Sequence, residues 1–208
     1  MIITIDGPVA SGKSSTAKAL AKKLGFYYLN TGLMYRALAW LAKNKDLDLN
    51  KLSQIPFEYV VEGGQPRILF EGQNITENLF DSEVSKGASV LSQDKVLHHK
   101  LIEYQQCFVD KGSLVVEGRD AGTVIFPNAD LKIYLTASEE VRAKRWLADP
   151  ARNNQFKSLE EAIASIQERD KRDKERKVCP LKIAEDAVVV DNSDLSMEAV
   201  IYNIIDLF

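Results

Sequence analysis

Residues Gly7 to Ser14 read Gly-Pro-Val-Ala-Ser-Gly-Lys-Ser, filling every fixed position of the pattern G-x-x-x-x-G-K-[ST] directly after the apolar run Met1-Ile2-Ile3-Thr4-Ile5. A buried strand that turns through glycines into a helix aims successive backbone N–H groups at one point, where an anion replaces water. Lys13 adds positive charge at that point, and the Ser14 hydroxyl offers magnesium an oxygen ligand. Gly7, Pro8, Val9, Ala10, Ser11, Gly12, Lys13, Ser14 and Ser15 are therefore expected to cradle a nucleoside triphosphate, with Ser14 as the metal ligand.

The pattern after the loop is that of an α/β chain. Ala17, Leu20, Ala21 and Leu24 recur at helical spacing and Gly25 supplies a stop, which predicts a helix over 13–24. Phe26 to Leu29 reads as a second strand, and Thr31 is expected to cap a helix that turns Ala37, Leu38 and Leu41 inward. Three further apolar runs, Leu114–Val116, Leu131–Leu135 and Ala187–Val190, are separated by long helical patterns, as parallel strands require. The expected fold has three layers around a five-stranded parallel sheet.

The middle of the chain breaks this rhythm. Phe57–Val61, Gly63-Gly64, Arg67–Phe70 and the turn Glu71–Asn74 predict a small antiparallel insert, and Glu83 to Asp110 reads as one or two helices. We read one domain over 1–208, with an acceptor-binding insert region at 55–112 and a lid at 146–157.

A chain of 208 residues with 45% hydrophobic and 27% charged composition suits a soluble globular domain, and a net charge of −3 argues against a general nucleic-acid binder. The substrate is expected to be small. The start at a strand, without a charged leader or a run long enough to span a bilayer, predicts a cytoplasmic protein with no membrane partner, and a monomer. Cys107 and Cys179 lack C-x-x-C spacing and read as free thiols, while the adjacent His98 and His99 cannot both ligate from one helix face. No metal is assigned to them.

Three groups suit a second, acceptor substrate. Asn30 to Arg36 leaves a strand end for a helix, which puts Tyr35 and Arg36 at the C-terminal edge of the sheet, where open α/β folds bind ligands. Arg36 offers a planar fork of donors to a phosphate. Glu117-Gly118-Arg119-Asp120 leaves the sheet at the same edge, and Gly118 and Gly122 permit close backbone approach. The third group lies in the charged run Arg169 to Lys177. Ser158 and Glu161 form a capping-box signature, Ile163 and Ile166 define an inward stripe, and its continuation falls on Arg169, Asp173 and Arg176. Lys171, Arg172, Lys174 and Glu175 are expected to face solvent. Arg142, Lys144 and Arg145, followed by Pro150, Arg152 and Asn153-Asn154-Gln155, suggest a short basic lid whose Arg142 and Arg145 close on the nucleotide phosphates.

Together these segments resemble the bacterial cytidylate kinases, nucleoside monophosphate kinases of the P-loop class, over nearly the whole chain. The resemblance rests on Ile3–Lys13, Thr31–Arg36, Glu117–Pro127, and Arg169-Asp170 with Asp173, Arg176 and Pro180-Leu181. It implies transfer of the ATP γ-phosphoryl group to CMP or dCMP, with Mg²⁺. It further implies that Arg36, Arg119 and Arg176 hold the acceptor phosphate, that Ser89, Arg169 and Asp173 surround the sugar, and that Asp120 reads the base, with Thr31 and Tyr35 beside them. His98 stands where the family usually carries a base-reading arginine. Asn30 replaces a common aspartate, Trp146 interrupts an arginine-rich lid pattern, and Ala121 replaces a larger apolar residue.

Phosphoryl transfer needs positioning and charge neutralisation rather than a covalent intermediate, so Lys13, Arg119 and Arg176 are the expected catalytic groups. Glu117 is a candidate second carboxylate near the magnesium. A P-loop kinase for UMP or another small acceptor is the rival reading. A guanine-binding switch would require N-K-x-D, whereas Asn44-Lys45-Asp46-Leu47 places its acid one residue early.

Overall fold

The computed structural model describes residues 1–45, 47–48, 54–149 and 158–207. Asp46 of the near-miss guanine pattern, and the lid residues from Pro150 through Arg152, Asn153, Asn154 and Gln155 to 157, lie outside the described residues.

Strand β1 (Ile2–Asp6) is buried from Ile3 onward and leads through the phosphate loop into helix α1 (Lys13–Leu24), which buries Thr16, Ala17, Leu20 and Ala21. Strand β2 (Tyr27–Asn30) starts one residue later than expected and runs straight into helix α2 (Thr31–Asn44). The cap of α2 is Asn30 rather than Thr31: the Asn30 side chain accepts a hydrogen bond from the Leu33 N–H at 3.0 Å. Thr31 is the first helical residue, and its hydroxyl is freed to donate elsewhere.

The insert contains strands β3 (Glu58–Glu62), β4 (Gln65–Phe70) and β5 (Gln73–Asn74), an antiparallel sheet, followed by helices α3 (Ser82–Leu91) and α4 (Lys95–Gln106). Gly63 and Gly64 take φ of 59° and 74°, the left-handed pair that a two-residue hairpin turn between Glu62 and Gln65 requires. Tyr59 fastens this sheet to the main one, since its hydroxyl donates to Tyr28 O at 3.0 Å and accepts from Asn30 N at 2.9 Å.

The remaining elements are β6 (Leu114–Gly118), a single turn of π-helix over Ala121–Ile125, β7 (Leu131–Thr136), α5 (Glu139–Leu147), α6 (Leu159–Glu175), β8 (Val188–Asp191) and α7 (Met197–Ile205). The main sheet has the order β2-β6-β1-β7-β8, with every neighbouring pair parallel. Strand alternation divides the core in two. Ile3, Ile5, Val115 and Leu135 pack with Leu20, Val200 and Ile204 on one face, while Leu29, Leu114 and Val116 pack with Met34, Leu38 and the insert's Ile68, Leu79 and Leu101 on the other. A smaller core of Val9, Ala143, Trp146, Ala162 and Ile166 sits beneath the phosphate loop. Among the described residues, no helix is long and apolar enough to cross a membrane.

Candidate active site

The phosphate loop leaves β1 and enters α1 through Gly12, a left-handed cap with no side-chain hydrogen bond, so the first-turn N–H groups of α1 compete with no capping side chain for an anion. Lys13 folds back over the loop, its Nζ donating to Pro8 O at 2.6 Å and lying 3.4 Å from Ser11 Oγ. Burial above all, and then the neighbouring Arg119 charge, pushes the Lys13 ammonium well below the ordinary lysine range, while Glu117 and Asp173 offset only part of this. This crowding of cations creates a positive focus that a polyphosphate would relieve.

Val9, at the loop's apex, is clamped from below. Its N–H donates to Asp170 Oδ1 at 3.1 Å and its carbonyl accepts from Arg142 Nη1 at 3.1 Å. Arg142 Nη1 also meets Asp170 Oδ2 at 2.5 Å, and Arg142 Nε donates to Ala137 O at 3.0 Å. Arg145 binds Asn192 at Oδ1 and at the backbone carbonyl (2.8 and 2.9 Å), and Asn192 Nδ2 in turn donates to Ser11 O at 2.9 Å. Both arginines were expected in a lid over the nucleotide. They instead stand on α5 and brace the loop from the protein side, because α5 packs against α6 beneath it.

A cleft of about 390 Å³ opens from the loop across the C-terminal edge of the sheet. Val9, Ala10, Lys13 and Ser14 form one end, and Tyr35, Arg36, Ser89, Asp120, Asp173 and Arg176 the other. Thr31, Glu117, Arg119 and Arg169 also line it. The sequence-predicted groups thus converge. His98, Arg142 and Arg145 are not on its wall.

At the end of the cleft opposite the phosphate loop, Arg119, Arg176, Arg36 and Tyr35 each have a defined support. Arg119 Nε donates to Asp173 Oδ2 at 2.7 Å. Burial opposes both charges, but the pair overcomes it: Asp173 raises the Arg119 pKa, and Arg119 with Arg169 pulls the Asp173 carboxyl below its ordinary value. Arg176 caps α6, donating from Nε to Cys179 O at 2.6 Å and from Nη1 to Ser92 Oγ at 3.3 Å, with Nη2 placed 3.3 Å from Asp120 Oδ2. Arg36 donates to Leu79 O at 2.9 Å and lies 5.7 Å from the Phe80 ring centroid. Tyr35 shares a short hydrogen bond with His98 Nδ1, and His98 Nε2 lies 3.2 Å from Asp120 Oδ2.

The close approach expected at Gly118 and Gly122 has a definite cause. A Cβ at Gly118 would stand 2.8 Å from Thr31 Oγ1, which is fixed by donating to Glu117 O at 2.8 Å, and one at Gly122 would stand 2.6 Å from Thr4 Oγ1.

Sequence reasoning missed three supporting residues: Asp170, Asn192 and Asp6. Asp6 accepts hydrogen bonds from Ala121 N (2.9 Å) and Gly122 N (2.8 Å), and so holds the π-turn that carries Asp120. Its place at the end of β1, directly before the loop, was the available signal. Burial pushes the Asp6 carboxyl up to about 6, against the pull of those two N–H groups. A carboxyl that holds its proton more tightly when folded stabilises fully below its unfolded pKa of 3.8 and loses that contribution as pH rises through about 6. The loss amounts to about 3 kcal/mol. Urea midpoints between pH 4 and 7 should therefore show a falling component that Asp6→Asn removes. An unchanged pH slope in the variant would contradict this assignment.

Comparison with known proteins adds a family to this geometry. The family model described as "Cytidylate kinase" matches residues 3–208. The chain belongs to the cytidylate kinase family. Cytidylate kinase of Chlamydia pneumoniae is 44% identical over 212 residues, covering all of this chain and 97% of that protein. A protein of Prochlorococcus marinus (strain NATL1A) named bifunctional pantoate ligase/cytidylate kinase is 40% identical over 218 residues, and there the chain spans only 42% of the relative's length. Shikimate kinase from Bacteroides thetaiotaomicron shares the fold, with a TM-score of 0.51 at 12% identity over the whole chain and 97% of that structure. The five-stranded parallel sheet with its antiparallel insert is thus the form that the P-loop kinase fold takes in this member of the family.

Proposed function

We propose that this chain transfers the γ-phosphoryl group of ATP to CMP or dCMP, releasing ADP and CDP or dCDP, as a cytoplasmic enzyme. The observation that carries the reading is the single cleft with the phosphate loop at one end and a cation–carboxylate constellation, Arg36, Arg119, Arg176, Asp120 and Asp173, at the other. Two phosphorylated substrates can meet there head to head. The acceptor phosphate is already an anion and needs no general base, so an acceptor oxygen attacks the γ-phosphorus while the bond to the ADP oxygen breaks. Lys13, Arg119 and Arg176 supply fixed positive charge to the spreading negative charge, without reorganisation at the moment of transfer. The Ser14 hydroxyl and the Glu117 carboxylate, both on the cleft wall, are hard oxygen donors that fit Mg²⁺, which when bound neutralises phosphate charge.

Base choice follows from Asp120. Its buried carboxylate accepts a hydrogen bond from the exocyclic amine of cytosine, whereas the carbonyl of uracil at that place would face an anion without a proton between them. We expect kcat/KM for CMP and dCMP to exceed that for UMP by on the order of 10- to 100-fold, the cost of one unpaired buried polar group. A coupled assay of ADP release with CMP, dCMP, UMP and AMP decides it. Fastest turnover of UMP or AMP would overturn the acceptor assignment, and slow ATP hydrolysis indifferent to every monophosphate would favour a switch.

A further inference from the structure

His98, Asp120 and Cys179 are far apart in the chain and come from α4, the strand end after β6, and the turn after α6, yet a ring nitrogen of His98, an Asp120 carboxylate oxygen and Cys179 Sγ all lie within 4.8 Å of one another. Three features make this a built site rather than a chance meeting. The side chains of His98 and Asp120 are more than nine-tenths buried, and both His98 Nε2 and Asp120 Oδ2 lack a hydrogen-bond partner despite standing 3.2 Å apart. Asp120 Oδ2 is held by ion-pair contacts alone, to His98 Nε2 at 3.2 Å and to Arg176 Nη2 at 3.3 Å, and His98 Nε2 meets only that oxygen, so both atoms keep bonding capacity for a ligand. The Tyr35 hydroxyl engages the other ring nitrogen, Nδ1, the outer-shell contact that orients a ligating histidine. Arg176 Nε, through its 2.6 Å bond to Cys179 O, fixes the turn that presents the sulfur, which takes the left-handed φ of 45°.

We propose that His98 Nε2, Asp120 Oδ2 and Cys179 Sγ bind a borderline-soft divalent cation of the Zn²⁺ class, and that the bound ion excludes the acceptor nucleotide. Nitrogen and sulfur donors select such an ion over Mg²⁺. On binding, the thiol proton passes to solvent and the sulfur–metal bond forms, so one thiolate and one carboxylate neutralise the divalent charge. Arg176, whose Nη2 lies 3.3 Å from Asp120 Oδ2, then faces a neutral cluster and not a net cation. Three protein ligands leave one coordination position open, as in sites that admit an exogenous ligand. The exclusion rests on the proposed role of Asp120, since a carboxylate oxygen spent on the metal is no longer presented to a cytosine amine.

The test is titration of the full chain with Co²⁺, read as the near-ultraviolet thiolate-to-cobalt charge-transfer band, which reports the sulfur bond without any turnover. One equivalent is expected to saturate the band, Zn²⁺ to displace it, and Cys107→Ser to leave it intact. Cys179→Ser should abolish the band, and His98→Asn should weaken binding about tenfold or more. In the kinase assay Zn²⁺ should inhibit competitively with CMP, and Cys179→Ser should retain basal turnover while losing that inhibition. Absence of a saturable band, or a band that survives in Cys179→Ser, overturns the site. A band that CMP cannot displace supports the metal site and overturns Asp120 as an acceptor group. Normal CMP turnover with no band overturns the metal site alone.

Discussion

Replacing Lys13 with alanine is expected to lower kcat by on the order of 10²- to 10³-fold while leaving the thermal midpoint of the ligand-free protein unchanged or higher. The two halves of this expectation have one cause. Lys13 is a buried ammonium under pressure from burial and from Arg119, and its own partners are a carbonyl at 2.6 Å and a hydroxyl at 3.4 Å rather than a carboxylate. In the absence of phosphate this charge is a liability of the folded state, and its removal offsets the lost bond to Pro8 O. During the proposed transfer the same charge, on a side chain only 6% exposed, meets the developing negative charge at low local dielectric, where it is worth several kcal/mol. Steady-state kinetics with scanning calorimetry check both halves. Retained turnover would remove Lys13 from the catalytic groups, and a large fall in the midpoint would make it a structural residue.

The fold was legible because parallel strands buried on both faces announce themselves as apolar runs: Leu114–Val116 and Leu131–Leu135 have few other places to go in a chain with intervening helices. The end of the cleft opposite the phosphate loop was legible for a related reason, since residues that follow strand ends, such as Arg36 and Asp120, gather at one edge of the sheet whatever the details of packing. The phase of α6 was not. Ile163 and Ile166 were read as its inward stripe, but the buried positions are Ala162, Ile166, Asp170 and Asp173. Alanine carries a weak periodic signal, so a stripe drawn through Ile163 falls about one residue late at its start and passes over Asp170, although Arg169 does line the cleft. The reading of Lys171, Arg172, Lys174 and Glu175 as solvent-facing agrees with the structure, because those four lie off either version of the stripe. Arg142 and Arg145 were misplaced for a different reason. Cations near a polar stretch look like a lid in one dimension, and only the packing of α5 beneath the loop turns them toward the backbone of Val9 and toward Asn192.

The residue that the phase error concealed carries the second large effect. Asp170→Ala should lower the unfolding free energy by about 3–5 kcal/mol, because it leaves the Arg142 guanidinium, 4% exposed, buried without its counter-charge. The lost acceptor for Val9 N–H adds to this and releases the apex of the phosphate loop, so the KM for ATP should rise more than that for CMP. Asp170→Asn keeps an acceptor for Val9 and a dipole toward Arg142, and should be milder in both respects. The double variant Arg142→Met/Asp170→Leu separates charge from position. Apolar side chains of similar bulk beside Trp146, Ala162 and Ile166 remove the uncompensated charge, and the urea midpoint should recover most of the loss. Neither replacement can bond the Val9 N–H or carbonyl, so the KM for ATP should stay high in a protein that is stable again. If the restored fold also restores ATP affinity, the Arg142–Asp170 pair is a packing element, and the phosphate loop holds its shape without the clamp.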